Sequence, residues 1–129
     1  MTLRTYFAIF AVLSVLFGAG FVLAPAQVLA NYGIQSSPAI AVMSRLFGGT
    51  LLAIAVILWS ARDFHNHAAT RAVLIGIGIS DVVNFVVATA ATSAGTINAL
   101  GWSTVLIYLL GAAGAGYFLM AGKAQSQAA

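Results

Sequence analysis

The sequence predicts an all-α integral membrane protein, a four-helix bundle with both termini cytoplasmic, and three observations carry that prediction. Of the 129 residues, 62% are hydrophobic and only 5% charged, with a mean hydropathy of +1.05, whereas a soluble domain carries roughly a quarter charged residues. The few polar breaks leave four apolar segments, approximately residues 6–23, 39–61, 72–92 and 100–121, each near the roughly 20 residues that cross a hydrocarbon core of about 30 Å. The basic residues fall in a pattern: Arg4 precedes the first segment, Arg62 and Arg71 bracket the connection between the second and third, and Lys123 follows the fourth. The other two connections hold no Lys or Arg, so by the positive-inside rule the termini and the middle loop are cytoplasmic. Residues 1–129 are thus expected to form one multi-pass transmembrane domain.

The first segment follows Met1-Thr-Leu-Arg4 and leads to Ala24-Pro25-Ala26, the form of a cleavable secretory signal. Its apolar stretch of about 18 residues exceeds the usual 7–15 of such signals, so it is read as the first span. Pro25 ends that span, because proline cannot continue a helix interior. Residues 27–33 mix Val28, Leu29 and Tyr32 with Gln27 and Asn31, which predicts a short helix lying at the outer interface. Ser36-Ser37-Pro38 is the start signal of the second span, a serine to cap and a proline in the first turn. Thr70 is the expected cap of the third. Tyr6, Trp59 and Tyr117 fall at the expected cytoplasmic interface, and Tyr32 and Trp102 at the outer one.

Glycine supplies the expected packing surface. Gly18 in the first span, Gly48 and Gly49 in the second, Gly76 and Gly78 in the third, and Gly111 and Gly114 in the fourth all lie within apolar sequence. In lipid, helices associate by close backbone approach at small residues, since the tails are as apolar as leucine.

Within these apolar runs a few polar groups stand out, above all Asp81 in Gly78-Ile79-Ser80-Asp81-Val82-Val83-Asn84-Phe85. Asp81 is ten residues past Arg71, which at 1.5 Å per residue puts it roughly 15 Å from the boundary, near the midplane. Asn84 follows at i+3 on the same helical face. Ser14 and Tyr108 fall at nearly the same depth, and Thr104 one turn outward of Tyr108. Arg45 enters from the other boundary to a depth of roughly 9 Å and is the only base placed to meet Asp81. A lone charge at the bilayer centre costs about 2.5–3.5 kcal/mol on insertion scales, so such groups face the bundle interior and find partners. The expectation is therefore a polar cluster of Arg45, Asp81, Asn84, Ser14, Thr104 and Tyr108, held together by an Arg45–Asp81 pair, that either ties the helices or binds a ligand.

Other chemistries are thinly supported. Asp63, His65 and His67 in the middle loop could begin a divalent-metal site, but no further Cys, His or acid in the loop completes a shell, and no metal is expected. No cofactor is expected either: no span contains a histidine for haem or a lysine for a Schiff base, and cysteine is absent. There is no Ser-His-Asp set, no paired carboxylates and no phosphate-cradling loop. The net charge of +3 reports topology, with no basic stripe for nucleic acid.

The run Leu23-Ala-Pro25, then Arg45-Leu-Phe-Gly48-Gly49, and Asn98-Ala-Leu-Gly101-Trp102 resembles small four-span bacterial membrane proteins of unknown function, loosely related to the DoxX-like group. That resemblance implies an inner-membrane protein and supplies no catalytic residues. Three functions follow from the sequence. An accessory or scaffold protein, binding another membrane protein or a second copy through glycine-rich faces, is narrowly favoured. Next is a binding protein or small enzyme for a lipophilic molecule such as a quinone, isoprenoid or lipid. Last is a dimeric proton-coupled transporter, disfavoured because four apolar spans leave little room for a water-lined path.

Overall fold

Thr2 opens the first helix, α1 (Leu3–Leu23), its side-chain oxygen accepting the Thr5 amide at 3.2 Å. The computed structural model describes the backbone of residues 1–128 and the side chains of residues 1–122. At the far end of α1, Ala24 leaves helical geometry (φ −138°, ψ 56°), as expected of a residue that precedes proline. Pro25 then occupies the first turn of α2 (Pro25–Asn31), where a missing N–H costs no bond. The short helix expected over residues 27–33 thus begins at Pro25 and stops at Asn31, and Gly33, with φ +76°, makes the turn that follows.

Ser37 caps α3 (Pro38–Ala61) by accepting the Ile40 amide at 3.3 Å, with Pro38 in the first turn. The cap of α4 (His67–Ser93) is Asn66 and not Thr70. Asn66 Oδ1 accepts the Ala68 and Ala69 amides at 2.9 and 3.2 Å, while the Thr70 hydroxyl donates back to the Asn66 carbonyl. Asparagine in extended backbone serves two orphan amides at once, which starts the helix a turn earlier than its apolar run does. The last helix, α5, covers Gly101–Ala128. Among the described residues the chain is all helical, and α1, α3, α4 and α5 are long and apolar enough to cross a membrane, consistent with a multi-pass membrane protein.

The helices associate as two antiparallel pairs, α1 with α3 and α4 with α5. In the first pair the backbones touch where Gly18 meets Gly48: a Cβ on Gly48 would stand 2.7 Å from the Gly18 carbonyl oxygen. In the second, Gly78 faces Ala115 and Gly111 makes room for the Asp81 carboxyl. Gly114 lies under the Tyr6 ring. Gly49 and Gly76 do not pack against anything; each faces open space. Successive helical residues are rotated by about 100°, so neighbours of a buried glycine point away from the seam it makes.

Two clamps join the pairs. At the end that carries the N terminus and the α3–α4 connection, Tyr6, Phe7, Ala11, Leu58, Ala61, Leu74 and Ala115 form the buried core. Tyr6 is fully buried, its hydroxyl donating to the Gly111 carbonyl at 2.7 Å and its ring packed on Phe7, Phe10 and Phe118. Trp59, Trp102 and Tyr117, by contrast, are exposed. At the opposite end the Asn98 amide donates to the Tyr32 carbonyl at 3.0 Å, Asn98 Nδ2 donates to the Asn31 carbonyl at 2.8 Å, and the Tyr32 and Thr104 hydroxyls lie 2.9 Å apart.

Candidate functional site

Between the clamps the two pairs stand apart and enclose a cavity of about 420 Å³, within the roughly 300–1,000 Å³ of small-molecule sites. Each long helix lines it with a stripe at helical spacing: Phe10, Ser14, Phe17 and Phe21 from α1, and Phe47, Leu51, Ile54 and Leu58 from α3. Ile77, Asp81, Asn84 and Ala88 come from α4, and Gly101, Thr104 and Tyr108 from α5. The walls differ in character. The α1–α3 pair presents four phenylalanines with only Ser14 and Thr50 among them, and the Thr50 hydroxyl donates to the Leu46 carbonyl at 3.1 Å. The α4–α5 pair presents Ser80, Asp81, Asn84, Thr104 and Tyr108. Leu29, Tyr32 and Ile34, from α2 and the turn after it, close the end beyond.

Five of the six residues expected to form a polar cluster, Ser14, Asp81, Asn84, Thr104 and Tyr108, therefore surround one space. Arg45 is not among them. Its side chain is exposed, and Nε donates to the Val22 carbonyl at 3.3 Å. The reason is angular: Ser44 and Gly48 are the buried positions of that part of α3, and Arg45 is turned away from them. The last carbonyls of α1 lack helical partners and carry the negative end of its dipole, which gives the guanidinium a nearer acceptor than Asp81. The expected Arg45–Asp81 pair is thus absent.

Asp81 is 8% exposed, and its Oδ2 is fully buried with no hydrogen-bond partner among the described residues. The carboxyl sits where Gly111 has no side chain: a Cβ there would collide with it and press on the Phe10 ring. One turn along α4, Asn84 Nδ2 donates to Ser80 Oγ at 3.3 Å, leaving the amide oxygen free. Buried polar groups are nearly always satisfied, so a carboxyl oxygen left without a partner calls for an explanation.

The loop candidates come to a different end. Asp63 bridges two arginines, Oδ1 to Arg4 at 3.2 Å and Oδ2 to Arg62 at 3.7 Å, and Arg62 also stacks over the Trp59 ring at 3.5 Å. His67 starts α4, and no three metal-ligating groups gather among the described residues.

Sequence reasoning missed Tyr32, Ser80, Thr50 and the phenylalanine wall. The signal was present: Phe10, Ser14, Phe17 and Phe21 are spaced 4, 3 and 4, a single helical face. In a span that is apolar all round, a phenylalanine stripe reads as lipid-facing unless the glycines that fix the helix's orientation are weighed with it. No protein-family model matches the chain, and neither does any curated protein or solved structure.

Proposed function

We propose that this protein is a multi-pass protein of the bacterial inner membrane that binds a lipophilic molecule between its two helix pairs. The tail lies along Phe10, Phe17, Phe21 and Phe47, and the polar end meets Asp81, Asn84, Thr104 and Tyr108. One observation carries this reading: a cavity of about 420 Å³ with an aromatic wall facing a polar wall that holds an unpartnered buried carboxyl oxygen. Both termini and the α3–α4 connection lie in the cytoplasm. The clustering of Arg4 and Arg62 on Asp63 at one end of the molecule supports that orientation. Kinship with the DoxX-like group belongs to the same proposal. Binding is assigned and no reaction. Lipid extracted from protein purified in mild detergent is expected to contain one enriched species, depleted in Ser14→Phe, which fills the cavity with a fifth phenylalanine. Ala88→Leu fills it from the opposite wall and should do the same; an extract identical for all three proteins contradicts the reading.

A second reading, as an accessory protein for a membrane partner or a second copy, is favoured by Gly49, Gly76 and Gly116. All three face open space on the outer surface, where small residues admit another helix closely. Gly76→Leu is then expected to abolish a cross-linked or co-purified species while leaving bound lipid unchanged.

A further inference from the structure

We infer that the polar end of the bound molecule is a cation, and that the cavity is a site for a lipophilic amine; this rests on the reading of the cavity as a lipophile site. The charge inventory of the walls points there. Among the described residues Asp81 is the only acid lining the cavity, and no Arg, Lys or His lines it. The one base within the same apolar runs, Arg45, is turned outward onto the Val22 carbonyl. An acid enclosed in an apolar surrounding with no base beside it leaves a place for a positive charge that also supplies N–H donors, and the two together would complete an ion pair.

The remaining surroundings suit an ammonium group. Its three N–H donors have acceptors within one turn of α4: the Asp81 carboxyl, whose Oδ2 is packed against Gly111 and whose Oδ1 accepts no hydrogen bond among the described residues, and the amide oxygen of Asn84, left free while Nδ2 donates to Ser80. The Phe10 ring converges with the Asp81 carboxyl on Gly111, where a Cβ would touch both. An aromatic ring beside an acid is the pairing that holds organic cations, since the ring face attracts a positive charge within about 6 Å. Phe17, Phe21 and Phe47 extend that wall away from Asp81 for the chain of the amine. An anionic head, whether a fatty-acid carboxylate or a phosphate, would meet a like charge with no base to offset it.

The test uses the full chain in zwitterionic phosphatidylcholine nanodiscs, with empty discs measuring partition into the bilayer. Dodecylamine, dodecanol and dodecanoic acid share one tail and differ only in the head. By equilibrium dialysis the amine is expected to bind about tenfold or more tighter than the alcohol, and the acid more weakly than either. Asp81→Asn should bring the amine down to the level of the alcohol without moving the alcohol, and Asp81→Glu should restore most of the amine's advantage. Equal binding of amine and alcohol to the wild type, or an amine affinity unchanged in Asp81→Asn, overturns the inference while the cavity still binds lipophiles. Binding of none of the three overturns the inference together with the function it rests on.

Discussion

Tyr6 buries its ring against three phenylalanines and donates its hydroxyl to the Gly111 carbonyl. A buried hydrogen bond of this kind contributes about 1 kcal/mol, so Tyr6→Phe should lower the unfolding free energy in mixed micelles by about that much. Gly111 bears a heavier constraint, because a methyl there strikes both Asp81 and Phe10. Gly111→Ala is expected to cost about 1–3 kcal/mol, the usual range for overpacking. Gly76→Ala, with nothing near it, should be neutral or stabilise by up to about 1 kcal/mol through helix propensity. Denaturation midpoints of the three variants in one detergent separate these expectations. Position along each helix axis follows from residue count, and Ser14, Asp81, Asn84, Thr104 and Tyr108 line one space. Direction around the helix axis does not. Arg45 lay within reach in depth and on the wrong side in angle, and a sequence apolar on every face offers little hydrophobic asymmetry from which to read the angle.

The element whose role the sequence described least well is α2. Residues 27–33 read as an interfacial segment because Gln27 and Asn31 break the apolar run, but Leu29 is buried and lines the cavity, and Tyr32 reaches inward to Thr104. The segment closes one end of the cavity, fastened to the α4–α5 connection through Asn98. Asn98→Ala removes the bond to the Asn31 carbonyl, and Tyr32→Phe the one to Thr104. Each is expected to raise amide hydrogen exchange across α2 several-fold, since about 1 kcal/mol of local stability is a factor of five or so in opening, with the midsection of α1 unchanged. Helix starts followed local chemistry, and their legibility varied with it. Ser37 ahead of Pro38 was plain, whereas Asn66 was hidden behind polar residues that look like loop until the cap is recognised. Replacing Asn66 by alanine should cost about 1 kcal/mol and fray α4 back toward Arg71, visible as lost amide protection over that turn.

At the scale of the whole molecule, four apolar helices were legible because the hydrocarbon core sets their length and the charge count sets their solvent. Their grouping was not. A uniform bundle would have closed on itself, but the Gly18–Gly48 contact binds α1 to α3 and the Gly111 and Gly78 contacts bind α4 to α5. The pairs touch mainly at the Tyr6 core and at the Tyr32–Asn98 clasp. A space is left between two clamps, with the aromatic residues on one side and the polar ones on the other. Glycine spacing showed that close seams exist and gave no indication of which helix each seam faces, so the cavity was invisible before the fold. Native mass spectrometry of protein released from a mild detergent decides whether that space holds a ligand, because it weighs the polypeptide and whatever it retains together. The expected result is a wild-type species carrying one small-molecule adduct per chain and a bare species for Ser14→Phe of equal helicity. A wild-type chain that emerges bare, or an adduct retained undiminished in Ser14→Phe, would contradict it.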